Sequence, residues 1–201
     1  AILTIALSIG GNTPTIAQSV SILLGAALTP LVYILARQIA LSRIASIVAA
    51  AIMTVCGQAL QSSLVIMSDI PALFWATLSA ILLTRYLTQS DKALRWLILT
   101  AITLTLAIIT RWIYLLLGLP FGIALLIHWR GHIYWQHALS ALCVALLVLL
   151  PQFLYSRTNP APTLNHEWVQ GWSPAHAFQN SFTNIDGHFD YAQTNAIYYA
   201  Q

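Results

Sequence analysis

The sequence predicts an all-α fold, a polytopic bundle of transmembrane helices followed by an extracytoplasmic loop region. Only 6% of the 201 residues are charged and 59% are hydrophobic, whereas soluble domains carry about 25% charged residues. The mean hydropathy is +0.77, and the apolar residues form long runs. A helix needs roughly 20 apolar residues to cross a bilayer, because its backbone amides must be bonded within their own segment.

The charge pattern excludes a nucleic-acid partner. The formal net charge is +3, but the eight basic residues are scattered singly between apolar runs. They form no basic patch of the kind that binds phosphate backbones. The two cysteines, Cys56 and Cys143, lie inside apolar runs, where a cysteine more often serves as a small hydrophobic residue than as a disulfide partner or a metal ligand.

Residues 1–157 are predicted to form the transmembrane helical domain. The stretch GGNTP at 10–14 has turn composition, and Pro71 suits the first position of a helix. The run at 97–127 is apolar except for Arg111 and is too long for one ordinary span, so we expect a break near Arg111 and Trp112. The predicted segments are a partial span at 1–9 and spans at about 15–36, 44–66, 71–88, 95–110, 112–128 and 137–155.

The charged residues of the short loops predict the orientation. Loops on the cytoplasmic side are enriched in lysine and arginine. The loops at 37–43, at 85–95 and around 130 contain one acid, Asp91, and the bases Arg37, Arg43, Arg85, Lys92, Arg95 and Arg130. These loops should be cytoplasmic, and Asp69, Arg111 and the tail should lie at the outer surface.

The tail, residues 158–201, changes composition and is predicted to be an ordered extracytoplasmic loop region with short helices. Its aromatic residues can bury area that a Gly/Ser linker cannot. It contains the metal-ligand types His166, Glu167, His176, Asp186, His188 and Asp190. None of these matches a spaced metal motif, which favours a surface polar role.

Asp69, in LVIMSDIPALFWATL, is the first candidate site residue. One interpretation is a helix N-cap, since an acid just before Pro71 can accept amide hydrogens and interact favourably with the helix dipole. The other is a functional role, because an ionisable group at membrane depth is costly and marks a site by default. There it could bind a divalent metal ion or orient an acceptor.

Arg111 is the second candidate. It could be a snorkelling side chain at the end of a segment. Alternatively it binds a lipid phosphate, since guanidinium contacts phosphate oxygens in bidentate fashion and keeps its charge in a low dielectric.

The order of three stretches resembles a known family. SVSILLGAALTPLVYILARQIALSRIASIVAAAIMTV leads to MSDIPALFWATLSAILLTRYL and then to LTLAIITRWIYLLLGLPFGIALL. This order is similar to that of the C-type (GT-C) membrane glycosyltransferases that use polyprenyl-phosphate sugars. It resembles in particular the group that holds the aminoarabinose lipid A transferases, the protein O-mannosyltransferase-like proteins and the Rgt-type transferases. The resemblance covers about residues 10–155.

The resemblance implies a multi-pass enzyme of the cell (inner) membrane that acts in the cell envelope. It would move a sugar from a polyprenyl-phosphate donor to a lipid, glycan or protein acceptor on the outer face. Asp69 would be a supporting carboxylate that binds the acceptor or a divalent metal ion, the one candidate cofactor. Arg111, at a position where the family pattern has lysine after threonine, would bind the donor phosphate.

The family's principal catalytic acid lies in the first outer loop, and the sequence starts after that point. The expectation is therefore that these residues alone are inactive. Two alternatives from other classes are a secondary transporter and a non-catalytic polytopic subunit. Against a transporter, the charges cluster at one face rather than at the midplane, and the sequence shows no inverted repeat.

The orientation can be tested by cysteine labelling from outside the cell. A cysteine introduced at Thr163 should react with a membrane-impermeant thiol reagent, and one at Ser90 should not, because the positive-inside rule places position 90 in a cytoplasmic loop. The reverse labelling pattern would overturn the orientation.

Overall fold

The computed structural model describes residues 14–64, 68–88, 94–132, 135–158, 178–184 and 187–190. The chain divides into two compact units, residues 1–149 and 150–201. The elements in chain order are α1 Pro14–Gln38, α2 Arg43–Val55, α3 Gly57–Leu64, α4 Asp69–Thr88, α5 Leu94–Thr110, a 3-10 helix Trp112–Leu117, α6 Gly118–His132, α7 Trp135–Thr158, β1 Ser181–Asn184 and β2 Gly187–Asp190.

The predicted fold class, a helical transmembrane bundle, is confirmed. In the part of the chain that the structure describes, three helices are long and apolar enough to cross a membrane, and a bent pair brings the number to four if it is one span. The three are Gln18–Gln38, Asp69–Thr88 and Trp135–Tyr155. The helices Leu94–Thr110 and Trp112–His128 are apolar but shorter.

The predicted span at 44–66 is divided in the structure. Helices α2 and α3 meet at a 52° bend, where Cys56 has an extended backbone with φ −64° and ψ 109°. The amide of Leu60 donates to the carbonyl of Cys56 at 3.0 Å, which starts the new helix. Hydropathy does not register this break, because it lies within a charge-free run.

A tight turn reverses the chain between α1 and α2. Ala40 has φ 64°, and the amides of Ala40 and Leu41 donate to the carbonyls of Arg37 and Ala36 at 3.3 and 3.1 Å. This is the Schellman arrangement that ends a helix. Ser42 then caps α2, accepting from the amide of Ala45 at 3.1 Å. The turn is short, so α1 and α2 pack side by side.

Helix α4 is the centre of the first unit. It packs against α1, α3, α5 and α6, and its buried residues lie on more than one face, as expected of a helix with several neighbours. Its C-terminal half joins a core cluster with Leu97 and Ala141. The buried residues of α4 are Ile70, Ala72, Ala76, Ser79, Ile81, Leu82, Leu83 and Tyr86.

The two ends of the α4–α5 pair differ in charge. At the end where α4 finishes and α5 begins, the guanidinium carbons of Arg85 and Arg95 lie 5.2 and 5.1 Å from the ring centroid of Trp96. The side chain of Gln38 joins α1 to the same end, donating to the carbonyl of Ile81 and accepting from Nε of Arg85, both at 3.0 Å, in the amide orientation that its neighbours require. This end is therefore basic.

In the second unit the described part of the tail is a β-hairpin. Strands β1 and β2 pair antiparallel, with Phe182 opposite Phe189 and Thr183 opposite His188. The prediction for this region was short helices, whereas these residues form strands. Aromatic and β-branched residues favour extended structure, and the two residues that separate the strands are the commonest hairpin length.

A close approach of α1 to α3 gives a test of this packing. A Cβ added at Gly25 would clash with Oγ of Ser63, whereas one at Gly122, inside α6, would meet nothing within 4 Å. Gly25→Ala should lower stability relative to Gly122→Ala by about 1–3 kcal/mol, the usual cost of overpacking. Both residues lie inside helices and gain a similar helix propensity, so the difference isolates the contact. Thermal unfolding of the full-length protein in detergent measures it, and equal unfolding temperatures would contradict the packing.

Candidate functional site

Asp69 is the first residue of α4. The amide of Ala72 donates to the carbonyl of Ser68 at 3.0 Å, which makes Ser68 the residue that precedes the helix. Pro71, predicted at the first helical position, is therefore the third. Its missing amide still leaves no bond unmade, because the first four amides of a helix have no partner within it.

Arg111 lies at the break between α5 and the 3-10 helix. Its backbone is extended, with φ −147° and ψ 114°. Its amide donates to the carbonyl of Ala107 at 2.8 Å, and its carbonyl accepts from the amide of Tyr114 at 3.1 Å. Arg111 thus closes one helix and opens the next.

The structure brings Asp69 and Arg111 together. Nη1 of Arg111 forms an ion pair with Oδ1 of Asp69. Helices α4 and α5 pack closely, and since Arg85 and Trp96 meet at one end of this pair, the start of α4 and the end of α5 share the other end. The two helices therefore run antiparallel. The opposite charges of Asp69 and Arg111 meet where α4 begins and α5 ends.

The ion pair replaces the predicted helix cap. Oδ1 of Asp69 is buried and accepts no hydrogen bond from the described residues, so the carboxylate oxygen that meets Arg111 does not cap the amides of α4. The negative charge in the first turn still suits the positive end of the helix dipole.

The pair is too exposed to act mainly as a structural support. The side chains of Arg111 and Asp69 are 50% and 34% exposed, and ion pairs at this exposure contribute about 0–1 kcal/mol to stability. A guanidinium carries five N–H donors, and Asp69 engages only one of its nitrogens. The remaining donors can bind the oxygens of a phosphate, which guanidinium matches in geometry.

A divalent metal ion does not fit the described residues around Asp69. No group of three or more histidine, cysteine, aspartate or glutamate side chains lies together in the described part of the chain. Calcium and magnesium prefer several oxygen ligands, and the carboxylate of Asp69 is paired with a cation. We therefore derive no chemical step through a metal ion.

The candidate residues of the tail lie either in the second unit or outside the described residues. His166, Glu167, His176 and Asp186 lie outside the described residues. His188 lies in β2, where its ring nitrogens contact the hydroxyls of Thr183 and Ser181 at 3.1 and 3.3 Å. Asp190 ends the same strand.

One contact at the end of α3 was not anticipated from the sequence. Gln18 of α1 donates from Nε2 to the carbonyl of Leu64 at 2.8 Å. Leu64 is the last residue of α3, so this bond satisfies a carbonyl that the helix leaves unpaired. A glutamine near the start of an apolar helix is the only sequence signal for such a bond, and it does not identify the partner.

Comparison with known proteins was made at the level of families, curated proteins and solved structures. A family model described as dolichyl-phosphate-mannose-protein mannosyltransferase matches residues 8–161. This range includes both Asp69 and Arg111. No curated protein and no solved structure matches the chain.

Proposed function

Since the chain belongs to the dolichyl-phosphate-mannose-protein mannosyltransferase family, we propose that the Asp69–Arg111 pair is part of a sugar-transfer site. Members of this family are membrane glycosyltransferases with polyprenyl-phosphate sugar donors. The proposed site lies at the outer face of the cell (inner) membrane. The acceptor is a lipid, glycan or protein that presents a hydroxyl or similar nucleophile at this surface. The sugar is a hexose or a pentose.

The ion pair is the observation that carries this proposal. Charged residues are costly at membrane depth and are kept mainly where they function. Among the described acids, Asp69 is the one paired with an arginine, and the two residues come from different helices. Their charge is placed at the end of α4 and α5 opposite to the basic end around Trp96. If the basic end faces the cytoplasm, the pair faces the outer side, where the resemblance expects transfer.

Arg111 is proposed to bind the phosphate of the donor. In the transfer, an acceptor oxygen attacks the anomeric carbon, and the bond from that carbon to the phosphate oxygen breaks. The leaving polyprenyl phosphate keeps the electron pair of the broken bond, and its negative charge grows. Guanidinium donors held close to those oxygens stabilise this charge, which lowers the barrier to transfer. Attack from the face opposite to the phosphate inverts the anomeric centre.

Asp69 is proposed as a supporting carboxylate. Its contact with Nη1 fixes the plane of the guanidinium, so that the remaining donors of Arg111 are oriented before the donor binds. Positioning of this kind removes reorganisation from the chemical step. The proton of the acceptor hydroxyl goes to a general base, a role that the resemblance assigns to the acid of the first outer loop and not to Asp69.

Substitution of the pair tests the proposal in the full-length protein. Arg111→Gln should lower kcat by about 10²-fold, the effect of losing one group that stabilises transition-state charge, and Asp69→Asn should also lower it. Stability should change by only about 1 kcal/mol or less, because the pair is half-exposed. Sugar transfer from a polyprenyl-phosphate donor is measured per amount of folded protein in the membrane.

Arg95→Gln is the matched control for this experiment. It removes one guanidinium from the opposite, basic end, where Arg95 lies over Trp96. Because this end is remote from the Asp69–Arg111 pair, kcat should stay within about twofold of the wild type, which corresponds to about 0.4 kcal/mol. Unchanged turnover in both Asp69→Asn and Arg111→Gln would remove the pair from the site.

A further inference from the structure

A groove lies between α1 and α2, away from the Asp69–Arg111 pair. Its volume is about 520 Å³. Small and apolar residues make most of its walls, so a slender apolar molecule fits it better than a bulky polar one. The residues that line it are Thr29, Pro30, Tyr33, Arg43, Ile47, Ala50, Ala51 and Thr54.

Arg43 is the one charged residue of the groove and lies at its end. It is the first residue of α2 and is exposed. In the described part of the chain it forms neither a hydrogen bond nor an ion pair. Arg37, on the same turn, differs in this respect, because its Nη1 donates to the carbonyl of Leu41 at 2.7 Å. No described residue therefore occupies the donors of Arg43.

The length of the groove matches one leaflet of a bilayer. Arg43 and Thr54 bound it on α2, and the helical rise of 1.5 Å per residue places them about 16 Å apart. Half of the hydrocarbon core of a bilayer is about 15 Å thick. The groove thus extends from the membrane surface, where Arg43 lies, to about the depth at which the acyl chains of one leaflet end.

We propose that this groove binds an anionic phospholipid of the cytoplasmic leaflet, with the phosphate on Arg43 and an acyl chain along Ile47, Ala51 and Thr54. The charge of Arg43 complements the phosphate, and guanidinium binds phosphate oxygens with paired donors. Basic pockets between helices on the cytoplasmic side of membranes commonly hold such headgroups. The inference does not depend on sugar transfer.

The position of Arg43 in the bundle supports the choice of leaflet. Gln38, which closes α1 just before the turn to α2, contacts Ile81 and Arg85 of α4. The turn with Arg43 therefore shares the basic end that includes Arg85, Arg95 and Trp96. Basic residues near an anionic surface attract anionic lipids, so such lipids are available to the groove at this end.

Lipid titration followed by native mass spectrometry tests the proposal on the purified full-length protein. Phosphatidylglycerol is the anionic probe and phosphatidylcholine with the same acyl chains is the zwitterionic one. The wild type should bind phosphatidylglycerol about tenfold more tightly, because the choline cation of phosphatidylcholine offsets the attraction between Arg43 and the phosphate. Arg43→Gln should abolish this preference, and Arg43→Lys, which keeps the charge, should retain part of it.

Two further variants separate the groove from general surface charge. Arg37→Gln removes a charge from the same turn but lies outside the groove, so it should keep the wild-type preference. Ala51→Leu fills the groove at an exposed position and should weaken binding of both lipids severalfold. Melting temperatures check that each variant is folded.

Three results would overturn the proposal. Equal binding of both lipids by the wild type would show that Arg43 does not select a phosphate of net negative charge. An equal loss in Arg37→Gln and Arg43→Gln would show attraction by the whole basic end and not by a site. Unchanged binding in Ala51→Leu would show that no acyl chain lies in the groove, as would be the case if another protein segment covered it.

Discussion

The ion pair between Asp69 and Arg111 is the interaction on which the functional account depends. The two partly exposed charges meet where α4 begins and α5 ends. The ion pair requires α4 and α5 to lie antiparallel with their ends aligned. The close packing of these two helices provides this arrangement. The ion pair lies where α5 ends at Thr110, since Arg111 has an extended backbone and its side chain pairs with Asp69.

The central position of α4 connects this site to the rest of the first unit. The helix begins at Asp69 and ends near Tyr86, whose hydroxyl lies 3.2 Å from Nδ1 of His137 in α7. Between these points Ile70, Ala72 and Ala76 are buried against neighbouring helices. The carboxylate is therefore attached to the element that the first unit holds most firmly, and a site built on a rigid helix keeps its geometry better than one on a loop.

The sequence predicted the membrane helices better than the breaks within them and the contacts between them. Composition and run length predicted membrane helices, and the fixed charges of the loops predicted an inner and an outer end. The bend at Cys56 was not predicted, because a charge-free run is equally compatible with one helix or two. Asp69 and Arg111 were each identified because an ion in an apolar run is conspicuous. Their pairing depends on the register between α4 and α5, which hydropathy does not contain.

The groove beside Arg43 could not be predicted from the sequence. Small residues such as Ala50 and Ala51 leave space between helices, but the sequence does not show which helix lies opposite them. The same limit applies to the hairpin at Ser181–Asp190, where short strands carry a weak pattern. What the family membership adds is the donor class, which no single residue of this chain specifies. The geometry adds the two residues through which that donor can be tested.

A double-mutant cycle on sugar transfer tests the central claim most directly. Transfer rates per folded protein would be compared for the wild type, Asp69→Asn, Arg111→Gln and the double variant. If Asp69 acts by orienting Arg111, the account predicts that the double variant is about as slow as Arg111→Gln alone, since removing the orienting group costs nothing once the oriented one is gone. Losses that multiply in the double variant would contradict the account, because the two residues would then act independently.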